Sequence, residues 1–375
     1  MSAGERVRAR TDQIADLDDG WREAMHAVPR HLFIPDRAWC HPDDAPGYVI
    51  DRAADPGGWM KAVYSDAAII TQTDDGATVG KGDYTSSCSR PSLVAAGLGL
   101  LNPFEGDEVL EIGTGTGWTA GLLAHRLGDE NVTSVEIDRA VFDRAAENLN
   151  RSGHVPRLIL GDGARGCPEG APYDQVHVTC GVDEVPYAWV EQTRPGGTIV
   201  LPWMPRWEGG HLAKLTVAGD GTAVGRFHAG VVYMMLRSQR WSPPEMEGAY
   251  RDSATYLDPR RVARSSVGAD IAVSAMLPDV SGAYADQDDG EFHLSVWSDD
   301  SDAQVHYSPD YKRVAVLQRG PRDLWDELEA AYLRWIAWGA PDRARFGMTV
   351  SPDAQYVWLD TPDNPVKGPN AAPSR

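Results

Sequence analysis

With 375 residues, a formal charge of −20 from 35 Lys and Arg against 55 Asp and Glu, and an isoelectric point near 4.8, the chain has material for roughly two domains with ample core. The charge argues against nucleic acid or any other polyanionic partner, because phosphate contacts need clustered Lys and Arg. The sequence shows neither a signal peptide nor an apolar run long enough to span a membrane, the ten histidines form no H-E-x-x-H or similar metal cluster, and Cys40, Cys88, Cys167 and Cys180 lack metal or redox spacing. The reading is a cytoplasmic protein with free thiols and no metal.

In chain order, Trp21 to Met25 reads as a short helix, broken by Val28-Pro29-Arg30-His31-Leu32-Phe33-Ile34-Pro35, which predicts an extended arm. Tyr64-Ser65-Asp66 follows, then Ala67 to Tyr84, which contains Thr71-Gln72-Thr73-Asp74-Asp75-Gly76. The hydroxyl-rich Thr85-Ser86-Ser87-Cys88-Ser89-Arg90-Pro91-Ser92 opens an apolar helix from Leu93 to Leu101. A hydroxyl at a helix start can cap backbone donors or hold an incoming carboxylate, and both roles are open for Ser87 and Ser89.

Val109-Leu110-Glu111-Ile112 then runs into Gly113-Thr114-Gly115-Thr116-Gly117-Trp118, a strand, tight turn and helix start. Alternate glycines let the backbone turn sharply and approach a ligand, and the helix start offers free N–H groups. A dinucleotide fingerprint would need glycine where Trp118 stands. A helix to Leu127 leads to Val132–Asp138, a second strand ending in acid, with Glu136 at the spacing that puts a carboxylate on ribose hydroxyls in α/β nucleotide sites. An amphipathic helix follows, carrying Val141, Phe142, Ala145, Ala146 and Leu149, with Gly153 as its stop. Arg157 to Leu160 enters Gly161-Asp162-Gly163, where a carboxylate between glycines could meet an adenine amino group. Tyr173–Thr179, the strand after Pro195-Gly196-Gly197, Ala213–Val217 and Val231–Arg237 complete a predicted sheet, mostly parallel and covered on both faces. Glu111, Glu136 and Asp162 fall at strand ends in register with the glycine turn, where such sheets bind ligands.

The order of the VPR arm, Tyr64-Ser65-Asp66, Cys88-Ser89-Arg90-Pro91, the glycine turn, the acidic strand end and Gly161-Asp162-Gly163 resembles the protein-L-isoaspartate O-methyltransferase family, as do Val178-Thr179 and Glu191-Gln192 before Pro195-Gly196-Gly197. The resemblance covers about residues 20 to 235 and implies a Rossmann-like α/β fold of the class I methyltransferases with S-adenosyl-L-methionine as cofactor. It places Glu111, Gly113, Thr114, Gly115, Gly117, Glu136, Ile137, Asp162, Gly163 and Thr179 around the cofactor. Ser89, with Ser87, would stand beside the transferred methyl, and Tyr64, Asp66, Cys88, Arg90 and Pro91 on the substrate side. The division read from the sequence is an N-terminal helical and extended arm with a substrate loop over 1–85, a cofactor-binding methyltransferase core over 86–240 and a C-terminal α+β peptide-recognition module over 241–375.

Two features depart from the family pattern. The Ala67–Tyr84 segment is longer than the family's compact loop, and about 135 residues follow the core, where repair enzymes of this type end. The extension carries six tryptophans, a helical pattern from Arg322 to Trp338 and strand-like Phe292–Trp297, Val314–Gln318 and Tyr356–Leu359. Its aromatics read as core, Asp286 to Asp302 as a solvated acidic loop, and the chain from Thr361 as fraying. This layout resembles versions that modify ribosomally made precursor peptides in lanthipeptide or graspetide pathways, which implies methylation of an aspartate side chain and closure to a succinimide. The alternatives are an isoaspartyl-repair methyltransferase with an appended domain and a peptide-binding scaffold without turnover. A DNA amino-methyltransferase fits poorly, because Val178-Thr179-Cys180-Gly181 lacks an Asn/Asp-Pro-Pro-aromatic element.

Overall fold

The computed structural model describes residues 17–76 and 82–368. Helix α1 (Asp19–Ala27) starts where the Asp18 carboxylate accepts the Trp21 N–H at 2.9 Å, and it buries Trp21, Ala24 and Met25 on one face. The expected extended arm over residues 28–35 instead turns through a short 3-10 helix at Arg30–Leu32, and the chain after it builds a small sheet. β1 (Arg37–His41), β2 (Tyr48–Asp51), β3 (Ala68–Thr73) and β4 (Tyr84–Cys88) pair antiparallel in the order β2-β1-β3-β4, and α2 (Pro56–Val63) lies between β2 and β3 in the chain. Ser86 and Ser87 belong to β4, so neither caps the apolar helix α3 (Pro91–Leu101). That helix starts on Pro91, and the Ser92 N–H is taken by Asp66 Oδ1 at 2.9 Å.

The core contains β5 (Val109–Ile112), α4 (Trp118–Leu127), β6 (Val132–Glu136), α5 (Arg139–Ser152), β7 (Arg157–Leu160), β8 (Tyr173–Val178), α6 (Tyr187–Glu191), β9 (Thr193–Trp203), β10 (Gly210–Val217) and β11 (Ala223–Val231). The α5 boundaries follow local chemistry: Asp138 caps Ala140 and Val141, and Gly153 stops the helix at φ +87°. Strands β9-β8-β5-β6-β7 run parallel, while β10 and β11 add to β9 antiparallel. The last core strand is Ala223–Val231, not Val231–Arg237. Ala223-Val224-Gly225-Arg226 is too glycine-rich and polar to read as a strand alone, yet it pairs with β10 on one side and with the chain's end on the other. A Cβ on Gly225 would stand 1.8 Å from the Lys214 carbonyl oxygen, so close pairing requires glycine there.

Beyond the core lie β12 (Arg251–Thr255), α7 (Pro259–Ala263), α8 (Val267–Met276), β13 (Ser281–Asp286), β14 (Phe292–Trp297), β15 (Asp302–Tyr307), β16 (Val314–Arg319), α9 (Leu324–Ala337), β17 (Phe346–Val350) and β18 (Gln355–Leu359). Strands β12-β16-β15-β14-β13 form an antiparallel sheet against which α9 packs, with Trp325 and Trp335 buried. The final hairpin β17-β18 leaves that module and extends the central sheet from β11. Trp207, from the β9–β10 connection, lies within 2.5 Å of where a Cβ on Gly282 would be, so the two sheets share one apolar core. Asp302 is 1% exposed and bonded to Arg319 at 2.7 Å and Tyr250 at 2.8 Å, unlike the solvated position expected for that end of the acidic stretch. The chain from Thr361 turns back on β18, with the Val366 N–H on the Val357 carbonyl at 2.8 Å, and residues 369–375 lie outside the described residues.

Two histidines are sealed in the central sheet. Among the described residues, His177 packs under Gly97 of α3 with no partner on Nδ1, and His211 lies between Trp203 and Phe227 with none on either ring nitrogen. Burial pushes them down to about 4 and about 3. Both stay neutral in the folded chain while the unfolded chain takes up protons below about pH 6.5, so stability falls with pH below that value, by about 1.4 kcal/mol per histidine per pH unit. Urea denaturation from pH 7 to 5 should show this slope, and His211→Leu should shallow it; an unchanged slope would assign the acid sensitivity elsewhere.

Candidate active site

A cavity of about 670 Å³ opens at the carboxyl ends of β5 and β6, walled by the glycine turn, by β4 and by the chain leaving β11. Small-molecule and cofactor sites span roughly 300–1,000 Å³. Gly113, Gly115 and Gly117 have φ of +93°, +55° and +88°, the left-handed region that side chains rarely enter. A Cβ on Gly113 would stand 2.8 Å from Thr179 Oγ1, and one on Gly115 would stand 3.4 Å from the Ser87 carbonyl oxygen, so the turn is held between β8 and β4. Thr179 Oγ1 donates to the Gly113 carbonyl, and Thr114 Oγ1 shares a 2.6 Å hydrogen bond with Ser134.

The three expected acids divide. Glu136 lines the cavity at 8% exposure and accepts the Gly115 N–H at 3.0 Å and the Asp138 N–H at 2.9 Å. Burial raises its pKa against those hydrogen bonds, and a carboxylate that accepts two has capacity for two more. Glu111 instead sits behind the turn, wholly buried, accepting from Ser134 Oγ at 2.5 Å and pushed up to about 8 by burial. Asp162 is turned back to cap Ala164 at 3.0 Å, leaving Gly163 as the member of that pair on the cavity wall. Ile137, beside Glu136, completes that side.

Strand β4, Ser87 and Cys88 included, lines the cavity along its whole length, and Ser89 and Arg90 continue the wall just beyond it. Tyr64, Asp66 and Pro91 do not line the cavity: Tyr64 meets His31 Nδ1 at 2.5 Å, Asp66 holds Ser92, and Pro91 starts α3. Behind the wall is Arg30, 1% exposed. Its Nη1 donates to the carbonyls of Val63 (2.6 Å) and Ser65 (3.3 Å), its Nη2 to those of Ala67 (2.8 Å), Cys88 (3.0 Å) and Ser89 (2.9 Å), and its Nε to Cys88 Sγ (3.4 Å).

Sequence reasoning missed several lining residues. Asp43 of the β1–β2 turn is one of them, ion-paired with Arg90, which was expected on the substrate side. Tyr233 shares the cavity wall with Ser89, and burial pushes its hydroxyl well above the ordinary range, so it stays neutral. Cys180 is likewise held as a thiol, pushed up to about 12 by burial. Asp43 and Tyr233 carry no motif; only the packing of the small sheet and of the chain after β11 brings them to Ser89.

A profile of the protein-L-isoaspartate(D-aspartate) O-methyltransferase family matches residues 50–240, half of the chain. Protein-L-isoaspartate O-methyltransferases of Methanopyrus kandleri and Thermococcus onnurineus are each 32% identical to it, over 57% of this chain and over 81% and 84% of theirs. The chain belongs to this family. It is an S-adenosyl-L-methionine-dependent carboxyl O-methyltransferase of the class I fold. A solved protein-L-isoaspartate O-methyltransferase, 22% identical with a TM-score of 0.54, covers 96% of this chain and is itself covered in full. That span takes in the C-terminal module, so its architecture is not peculiar to this chain.

Gly113→Ala should weaken S-adenosyl-L-homocysteine binding by more than about tenfold in calorimetric titration, because the Cβ meets both a forbidden φ and Thr179. Arg30→Met should lower unfolding stability by about 3 kcal/mol or more, as several buried carbonyls lose their donor. Arg30→Lys should recover only part of that loss, since an ammonium cannot span them.

Proposed function

We propose that the acceptor is an aspartyl-derived carboxylate carried by a peptide, seated at Ser89. The observation that carries this reading is the grouping of Ser89, Tyr233 and Arg90 on a cavity whose other walls are the glycine turn and Glu136. The carbonyl oxygen of Ser87 lies against Gly115, so the hydroxyl-rich strand and the cofactor turn are in direct contact. In this reading Gly113, Gly115 and Gly163 form the backbone cradle, Glu136 offers its spare acceptor capacity to the ribose hydroxyls, and Thr114, Ile137 and Thr179 complete the cofactor wall. When bound, S-adenosyl-L-methionine supplies an electrophilic methyl group.

The protein residues then need to orient rather than to move protons. A carboxylate with a pKa near 4 is ionised at pH 7 and needs no general base. Hydrogen bonds from Ser89 and Tyr233 would fix one of its oxygens and aim the other at the methyl carbon. Cys180, held as a thiol, does not compete as a nucleophile.

The names and coverage of the relatives support an L-isoaspartyl residue as acceptor. A second reading, methylation of an ordinary aspartate in a modified, ribosomally made precursor peptide, is favoured by the Ala67–Tyr84 segment, which supplies Ala68, Ile70 and Tyr84 to the cavity wall. There the next backbone amide nitrogen attacks the methyl ester, methanol leaves and a succinimide remains. Mass spectrometry separates the two: turnover of isoaspartyl peptides, with no methylene gain or net water loss on cyclised precursors, supports repair, and the converse supports tailoring. Under either reading Ser89→Ala should lower kcat with the affinity for S-adenosyl-L-homocysteine kept; loss of that affinity instead would overturn the seat assigned to Ser89.

A further inference from the structure

After β11 the chain crosses the cavity, and Leu236, Arg237 and Arg240 line it. Leu236 lies over the Gly163 corner, with its Cδ1 3.6 Å from where a Cβ on Gly163 would be. Arg237 Nη2 then donates to Asp138 Oδ2 at 3.0 Å and pairs with Asp75 Oδ1 at 3.0 Å. Arg240 Nη1 donates to both oxygens of the same Asp75, at 3.1 and 2.9 Å. Polar contacts close the ring: the Asp75 N–H donates to Thr85 Oγ1 at 3.2 Å, Thr85 Oγ1 to Gln72 Oε1 at 2.8 Å, and Gln72 Nε2 reaches Asp138 Oδ2 at 3.5 Å.

Asp138 is well placed to anchor this ring. Its other oxygen caps α5, and although burial would raise its carboxyl, the Val141 N–H and the Arg237 guanidinium hold it below the ordinary range. It stands two residues beyond Glu136. The ring therefore ties three parts of the cavity's rim, the Gln72–Asp75 segment, the chain after β11 and the turn that carries Glu136 and Ile137. Arg237 also keeps one donor in reserve. Its Nε is buried and without a partner among the described residues, and a buried N–H without an acceptor is costly, so such a group on a cavity wall is suited to a ligand acceptor.

We propose that Arg237 is a further cofactor-binding residue, donating through Nε to the nucleoside part of S-adenosyl-L-methionine, and that its ion pairs with Asp75 and Asp138 form a clasp that opens for cofactor exchange. This rests on the reading that the nucleoside part lies between Glu136 and Gly163. A clasp of this kind sets how fast the cofactor and its demethylated product leave, since a partly exposed ion pair must break first.

The experiment is stopped-flow release of S-adenosyl-L-homocysteine from the full chain, with calorimetric affinity alongside. Arg237→Gln should release the ligand about tenfold faster and bind it correspondingly more weakly. Asp75→Asn, which leaves Arg237 in place, should also speed release, and it should blunt the acceleration that added salt produces in the unsubstituted chain. Because Asp75 is on the surface, this variant carries the test if Arg237→Gln does not fold. Release and salt response of folded Asp75→Asn equal to those of the unsubstituted chain would overturn the clasp, and unchanged affinity in folded Arg237→Gln would overturn the Nε contact. An unsubstituted chain that bound no S-adenosyl-L-homocysteine would overturn the site reading itself, which the two variants alone would not.

Discussion

The buried guanidinium of Arg30 is the interaction on which the acceptor side of this protein depends. Its donors reach five carbonyls from two separate chain segments, Val63 to Ala67 and Cys88 to Ser89. Those segments enter and leave the β3–β4 hairpin, so the cation fixes where Ser89 can stand. The guanidinium also lies over the Trp118 ring at 5.4 Å, and Trp118 Nε1 donates to the Val28 carbonyl at 3.1 Å. Trp118 is the first residue after the glycine turn. The acceptor wall and the cofactor wall are thereby referred to one another through a planar cation and an indole, groups that hold geometry better than a flexible chain would.

Charge is handled in the same spirit of local pairing. The chain is strongly acidic overall, yet its cavity wall carries Arg90, Arg237 and Arg240, each matched to an aspartate: Asp43 for the first, Asp75 and Asp138 for the others. Pairing keeps the cations in place without making the cavity a general anion trap. Glu136 faces the cavity with acceptor capacity to spare, whereas Glu111, equally prominent in the motif, is sealed behind the turn with one oxygen on Ser134. Position along a strand decides between the two. Glu136 ends β6, where the chain breaks toward the cavity, and Glu111 is still inside β5, shielded on both faces.

The local signals read well where they were short-range. Alternating glycines, an aspartate cap at Asp138, a glycine stop at Gly153 and the apolar spacing of α5 and α9 each depend on neighbours within a few residues, so the turn and the helices were legible. The elements that failed depend on distant partners. Gly225 looks like a strand breaker until Lys214 pairs closely against it, and β17-β18 belongs to the central sheet only because β11 offers an open edge. In the site the same division holds: Ser89, Gly113, Gly115, Glu136 and Gly163 stood in motifs, whereas Asp43, Tyr233 and Arg237 reach the cavity from loops with no signature.

By itself, then, the sequence determined the cofactor turn, the alternation of strands and helices and the family, since these rest on backbone conformation and side-chain period that neighbours dictate. Only the tertiary structure decided which acids face the cavity, which residues surround Ser89 and how the segments of the rim are tied together. Those outcomes rest on burial and ion pairing between segments far apart in the chain, such as Asp75 with Arg237 and Arg240, and no local pattern encodes them.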